Sequence, residues 1–273
     1  MAGLTLRFQR CGCGPAMVLV HGLLGYSFSW RHVMDGLATG REVYALDMPG
    51  SGFSECSRAL DPRLPAAAER LLAFLDIGRI ASCDLVGSSY GGAIALFLAA
   101  KHPERIRTLT LVSPANPWSR IGRKRLALLR HPAIARSFPV IARKVRPLHR
   151  FAIRRMYGDP RRLGSETLRG YSLPLMRIGV LEHAVAITQG WHADMAELES
   201  LLPSLSEIPV LLVWGSKDRV VDLASAEMLA SRLRNSRLVI LQGAGHLPYE
   251  ECPEEFVSVV SRFLKESSRR EVT

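Results

Sequence analysis

The chain of 273 residues contains no uninterrupted apolar run that approaches the roughly 18 residues a membrane span needs. Its first residues, MAGLTLRFQRCGCGP, also lack the basic stretch and long apolar core of a signal peptide. We therefore expect no spanning helix, no export and a cytoplasmic location. With 48% hydrophobic and 22% charged residues, the composition is typical of a globular protein with a full core.

Cysteine is scarce and scattered, and an odd number in a chain without an export signal predicts reduced thiols rather than disulfides. Cys11 and Cys13 are close in sequence, but no second cysteine or histidine pair with zinc-site spacing follows them. We therefore expect neither a metal site nor a cofactor. The five cysteines are Cys11, Cys13, Cys56, Cys83 and Cys252.

Acidic residues are almost missing from residues 119–163, where 14 lysines and arginines face a single acid, Asp159. The formal charge of the whole chain, +11, therefore belongs to this one segment. Arginines between apolar residues are compatible with helices lying on an anionic surface. Anionic lipid, an acidic carrier protein or a phosphate-bearing thioester could bind this face, and the alternative is a solvated basic face that maintains solubility. We expect no nucleic acid partner, because no recognised module accompanies the charge.

Short apolar, β-branched runs recur along the chain, with helix-like stretches between them. Runs of this kind fit strands buried on both faces of a parallel sheet. One predicted helix follows Asp61, which would cap it, and another ends at Pro103. As crossovers between strands, these helices predict an α/β fold with a doubly wound, mostly parallel sheet. The runs are MVLV (17–20), EVYAL (42–46), CDLV (83–86), TLTLV (108–112), VLLVW (210–214) and RLVIL (237–241).

The alternation of strand and helix stops at residue 115 and resumes after residue 200, and helix-like segments punctuated by prolines lie between. This pattern predicts one core domain formed by residues 1–114 and 201–273, with an all-helical cap inserted as residues 115–200. Apolar cap residues could line a pocket, or could simply pack the cap helices together. Those residues are Leu126, Leu128, Leu129, Ile134, Phe138, Ile141, Phe151, Ile153, Met156, Leu173, Leu175 and Met176.

The stretch GSSYG, residues 87–91, lies where a predicted strand turns into a predicted helix and matches G-x-S-x-G. A turn this sharp needs small residues at Gly87 and Gly91, and it pushes the central side chain out above the sheet. That selects Ser89 over its neighbour Ser88. A glycine-rich turn with incidental serines is the alternative.

Together with this elbow, four further stretches resemble the α/β-hydrolase family in the order expected for it. The resemblance covers nearly everything outside the insertion and implies the family's fold with a helical cap. The four stretches are VLVHGLLG (18–25), LDMPGSGFS (46–54), VWGSKDRVV (213–221) and GAGHLPYEECPEEF (243–256).

The resemblance implies a nucleophile, a general base and an orienting acid at Ser89, His246 and Asp218. It also implies an oxyanion hole made by the backbone N–H groups of Leu23 and Tyr90, with Leu24 as the substitute for Leu23. His21 and Asp47 are interpreted as structural loop residues.

A serine at the elbow argues against the members of this family that use an aspartate there. From a complete set of serine, histidine and aspartate we expect carboxylic ester hydrolysis through an acyl-enzyme on Ser89. The expected substrate is an apolar small-molecule ester. The alternatives are a C–C bond hydrolase, a thioesterase or another reaction of the same fold, and a non-catalytic small-molecule receptor.

Overall fold

The structure is a computed structural model that describes residues 4–57, 59–119 and 128–270. Seven strands in these ranges form one sheet, in the order β1-β3-β2-β4-β5-β6-β7. Only β1 is antiparallel to its neighbour, so the predicted doubly wound, mostly parallel sheet is confirmed. The strands are β1 (Arg7–Gly12), β2 (Ala16–Val20), β3 (Glu42–Asp47), β4 (Cys83–Ser88), β5 (Ile106–Val112), β6 (Val210–Gly215) and β7 (Ser236–Leu241).

Helices cover both faces of the sheet because the central strands are apolar on both sides. In β2, for example, Val18 and Val20 belong to one core, and Met17 and Leu19 belong to the other. One core includes α2 (Leu64–Ile77) and α3 (Tyr90–Lys101), and the opposite core includes α1 (Met34–Leu37) and α10 (Pro253–Arg270). The remaining helices of the main fold are α8 (Ala224–Arg232) and α9 (Pro248–Glu251), with single 3₁₀ turns at Ser27–Trp30 and Pro103–Arg105.

Between β5 and β6 the described residues form helices and no strand. These inserted helices cover the carboxyl ends of the strands, where ligands bind in open parallel sheets. The division of the chain into domains at residues 114 and 201 remains a prediction. The inserted helices are α4 (Pro132–Lys144), α5 (Arg146–Met156), α6 (Ser165–Leu175) and α7 (Val180–Leu201), with 3₁₀ turns at Pro160–Arg162 and Leu202–Leu205.

One local prediction was wrong, and one strand was not predicted. Asp61 does not cap α2, since its carboxylate accepts the N–H of Arg63 in the turn before the helix. Strand β1 had no predicted counterpart. Among the described residues, no helix combines the length and the apolar character that a bilayer crossing requires.

Candidate active site

Ser89 sits in a strained elbow between β4 and α3, with φ 52° and ψ −119°. Its N–H donates to the carbonyl of Val112 at 2.9 Å, which anchors the turn to the next strand. A Cβ built on Gly91 would lie 2.3 Å from the Val20 carbonyl oxygen, and one on Gly87 would lie 2.5 Å from the Gly91 carbonyl oxygen. The bend therefore needs glycine at both positions, as the sequence predicts.

Ser88 belongs to β4, is fully buried, and has a different environment from Ser89. Its hydroxyl lies 3.2 Å from the hydroxyl of Tyr249. Ser89, by contrast, is the residue with the left-handed backbone of the elbow. The two adjacent serines thus have separate structural roles.

Asp218 follows β6 and His246 follows β7, and the two side chains meet at the same edge of the sheet. His246 Nδ1 lies 2.8 Å from Asp218 Oδ2, and the two side chains are 2% and 0% exposed. The other carboxylate oxygen of Asp218 accepts the N–H groups of Val220 and Val221 at 2.7 and 3.0 Å. Burial alone would raise the pKa of the Asp218 carboxyl, but His246 and the Val220 N–H hold that pKa below its usual value.

An ionised Asp218 can only accept hydrogen bonds, so the bond to it assigns the imidazole hydrogen to Nδ1 of His246. In the neutral imidazole Nε2 then carries the lone pair, and His246 and Ser89 line the same cavity. The backbone of His246 is fixed separately, because its N–H donates to the Met156 carbonyl at 2.6 Å. This arrangement can accept a proton within the cavity that Ser89 lines.

Leu23 and Tyr90, the two predicted oxyanion donors, flank this serine. Tyr90 is the first residue of α3, where backbone N–H groups have no intrahelical partner. Neither its N–H nor that of Leu23 has an acceptor among the described residues. Leu24 has a left-handed backbone with φ 63°. Two unpaired donors beside a serine can stabilise a negatively charged oxygen.

The cavity above Ser89 has a volume of about 140 Å³, opens to solvent, and is bounded by the core loops on one side and the inserted helices on the other. Of the twelve apolar cap residues proposed from sequence, Phe138, Ile153, Met156 and Leu175 line it. Leu126 lies outside the described residues. The others do not line the cavity, and Ala142, Leu148 and Leu181 do so instead.

His21 and Asp47 have structural environments. His21 Nε2 accepts the N–H of Met48 at 3.0 Å and Nδ1 donates to the Gly22 carbonyl at 2.8 Å. Burial lowers the pKa of this imidazole, in keeping with a neutral ring. The fully buried Asp47 accepts the N–H groups of Ser27 and Phe53.

Sequence reasoning missed two adjacent acids that support the site, Glu250 and Glu251. Glu251 accepts N–H groups from Gly158 and Asp159 in the inserted segment and from Gly245 beside His246. Both acids stand in the stretch HLPYEE, four and five residues after His246. Acids at the start of a helix are common, so only the folded chain reveals these partners.

Comparisons with known proteins show the family of the chain. The family described as alpha/beta hydrolase fold matches residues 15–253. The chain is 30% identical over 270 residues to a pimeloyl-acyl-carrier-protein methyl ester esterase of Aeromonas hydrophila, covering 96% of this chain and 100% of the relative. It is 29% identical over 274 residues to a 2-hydroxymuconate semialdehyde hydrolase of a Pseudomonas species, covering 97% of this chain and 92% of the relative.

The fold has close counterparts among solved structures as well. A meta-cleavage product hydrolase of Pseudomonas fluorescens superposes with a TM-score of 0.83 at 21% identity, covering 97% of this chain and 96% of the other. At that identity the likeness concerns the fold. The family match, by contrast, includes the elbow, the acid and the histidine within residues 15–253. The chain belongs to the α/β hydrolase fold family.

Proposed function

We propose that the chain is a serine hydrolase that cleaves carboxylic esters through an acyl-enzyme on Ser89. The observation that carries the proposal is the buried 2.8 Å contact between His246 and Asp218, beside an apolar cavity that Ser89 also lines. The esterase name of the Aeromonas relative supports the reaction type. The same machinery would hydrolyse thioesters.

In the first half-reaction the Ser89 oxygen attacks the ester carbonyl carbon, and His246 Nε2 takes the hydroxyl proton. The negative charge on the former carbonyl oxygen is stabilised by the N–H groups of Leu23 and Tyr90. The bond to the leaving alcohol then breaks, and His246 returns the proton to that alcohol. Asp218 stabilises the imidazolium in between.

In the second half-reaction water replaces the alcohol. His246 removes a proton from the water, whose oxygen attacks the acyl carbon of the Ser89 ester. Collapse of the second intermediate breaks the bond to Ser89, returns the proton to the serine oxygen and releases the carboxylic acid. The apolar wall contributed by Phe138, Leu148 and Leu175 suits an aliphatic or aromatic acyl group.

Hydrolysis of p-nitrophenyl esters from acetate to palmitate tests the proposal. Ser89→Ala should lower kcat by about 10⁵- to 10⁶-fold, whereas Ser88→Ala should retain turnover within about tenfold, since Ser88 bonds Tyr249 rather than a reacting group. Ser231→Ala, on the exposed surface of α8, is the control and should match wild type. Multiple turnovers would exclude a receptor. Activity that survives Ser89→Ala would contradict the proposal.

C–C bond hydrolysis is the second candidate, and the name of the Pseudomonas relative favours it. The residue after His246 is Leu247, where ring-cleavage hydrolases often carry tryptophan, and this weighs against it. A dienoate ring-cleavage product assayed in parallel with the ester series separates the two reactions. Turnover of the dienoate together with inert esters would replace the esterase proposal.

A further inference from the structure

Helix α4 carries an apolar stripe that faces solvent. Ile134, Phe138 and Ile141 recur at intervals of three or four residues and therefore lie on one side of the helix, and Val145 follows directly after its last residue. Three of the four are exposed, Ile141 by 54%, while Phe138 turns partly into the cavity. The buried side of the helix is formed instead by Pro139 and Ala142. A stripe of this kind is not needed to hold the helix in place.

Helix α5 continues this apolar surface. Leu148, Phe151 and Ala152 are exposed, and the Phe151 side chain is 58% accessible. Leu148 and Ala152 also line the cavity above Ser89, as does Phe138 of α4. Residues that line a cavity and also face solvent mark its mouth. The exposed stripe therefore surrounds the point at which the cavity reaches the surface.

Exposed cations flank the same two helices. Arg136 and Lys144 lie on α4, and Arg150 and Arg154 lie on α5, all four exposed. Within residues 4–57, 59–119 and 128–270, no carboxylate pairs with any of them. Arg143, in contrast, is bound to Glu182. The surface thus combines unpaired positive charge with large apolar side chains.

We infer that this surface, formed by the exposed residues of α4 and α5, docks on an anionic lipid bilayer. Apolar side chains that are exposed in water gain free energy on entering the headgroup and acyl boundary, and cations beside them gain by meeting anionic headgroups. An acidic protein would satisfy the cations but would not require so many exposed aliphatic and aromatic side chains. The inference concerns binding and holds whichever bond Ser89 helps to cleave.

Docking in this orientation would turn the cavity mouth towards the membrane. Phe138 and Leu148 would then lie between the acyl region of the bilayer and the cavity. An apolar substrate could pass from lipid to Ser89 without crossing water. The surface would thereby favour substrates that partition into membranes.

Flotation of the full chain with vesicles tests the inference. One set of vesicles is phosphatidylcholine alone, and the other contains equal parts of phosphatidylcholine and phosphatidylglycerol. We expect binding to the second set at low salt, little binding to the first, and a steep loss as salt rises to 0.5 M, since salt screens the charges. No flotation with the anionic vesicles at low salt would overturn the inference. Tight binding to an acidic carrier protein with no vesicle binding would overturn it in favour of a protein partner.

Two pairs of substitutions test whether the exposed residues of α4 and α5 are the ones that bind the vesicles. Ile141→Ser and Phe151→Ser should each weaken vesicle partitioning by roughly tenfold, and Lys144→Glu and Arg150→Glu should each weaken it at least fivefold, about the contribution of one cation. The matched controls are Ile77→Ser, at a side chain 70% exposed on α2, and Arg262→Glu on α10. All six sites are exposed, so folding should be retained and is checked by circular dichroism. Equal effects at the control sites would overturn the assignment.

Discussion

Arg31 and the buried side chain of Glu250 form a two-pronged salt bridge, with nitrogen–oxygen distances of 2.7 Å on both arms. The hydroxyls of Tyr157 and Tyr171, from the inserted segment, donate to the same carboxylate at 3.1 and 2.6 Å. Arg31 also donates to Thr167 of α6 at 2.9 Å. This ion pair of the main fold thus contacts three side chains of the inserted segment, Tyr157, Thr167 and Tyr171.

Removing the cation of this pair should be costly. Arg31→Met leaves the Glu250 carboxylate buried without its counter-charge, and breaking such a pair typically lowers the free energy of unfolding by about 3–5 kcal/mol. Urea denaturation measures the change. The double variant Arg31→Met/Glu250→Gln should recover part of the loss, because no unpaired charge remains.

The matched control is Arg237→Met. Arg237 pairs with Glu266 on the surface, where both side chains are about half exposed, and such pairs contribute roughly 0–1 kcal/mol. Equal losses for Arg31→Met and Arg237→Met would show that the buried pair does not anchor the insertion.

Glu251 should position His246 without touching the substrate. Its carboxylate accepts the Gly245 N–H at 2.7 Å and two N–H groups of the inserted segment at 3.0 and 3.1 Å. Glu251→Gln keeps the shape but replaces one acceptor oxygen with a donor, which should cost about 1–3 kcal/mol of stability. We expect kcat to fall more than KM changes, since the histidine loop is displaced. Urea denaturation and ester kinetics measure the two effects.

Glu254→Gln is the control for this substitution. Glu254 is exposed in the first turn of α10, so its loss should change stability by a few tenths of a kcal/mol. A Glu251→Gln variant as stable and as active as Glu254→Gln would contradict the positioning role.

Asp218→Asn should leave the fold intact and remove most of the activity. The asparagine amide can donate to His246 Nδ1, which favours the wrong tautomer, and it cannot stabilise the imidazolium. A loss in kcat on the order of 10⁴-fold is expected for ester substrates. Asp222→Asn, in the same loop beyond β6, serves as the control and should stay within a few-fold of wild type. Comparable losses at both positions would rule out a specific role for Asp218.

Strands β2 to β7 could be predicted because they carry continuous apolar runs, most clearly β4 and β6, where every residue is buried. Strand β1 escaped prediction, since its residues alternate between exposed and half-buried positions at the sheet edge. Its register depends on pairing with β3, which local sequence does not encode.

The residues of the site also divide into those with a signal in the sequence and those without one. The elbow could be predicted because its constraints are local and leave a motif at a strand end, whereas Asp218 and His246 are implied by the family resemblance of the stretches after β6 and β7. The partners of Glu250 and Glu251 lie up to 219 residues away along the chain, and two of them are tyrosines without a motif. Only the packing of the insertion against the main fold brings these groups together.

His183 of α7 should make stability depend on pH. Burial, together with the nearby Arg70 guanidinium, lowers the pKa of this imidazole to about 4, while Asp61 opposes the shift. Between pH 6.5 and 4 the unfolded chain therefore binds more protons than the folded one. The stabilising contribution is fully present above pH 6.5 and is lost as pH falls towards 4, by about 3 kcal/mol.

Urea denaturation between pH 4 and 8 measures this dependence. His183→Gln should flatten the profile below pH 6.5, because the titrating group is gone. Arg70→Met should raise the His183 pKa, observable by NMR titration of the imidazole, and should reduce the pH dependence in part. An unchanged profile in His183→Gln would contradict the prediction.

Gly91→Ala should damage the elbow itself. The added methyl group would meet the carbonyl oxygens of Val20 and His21 at 2.3 and 2.4 Å, and these backbone atoms belong to β2 and the oxyanion loop. Overpacking of this kind costs about 1–3 kcal/mol, and a displacement near 1 Å at the reacting serine costs on the order of 10²-fold in rate. Gly164→Ala is the matched control, since no atom lies within 4 Å of its added methyl group. If both variants retained wild-type ester turnover and unfolding midpoint, the close approach at Gly91 would not be what shapes the turn around Ser89.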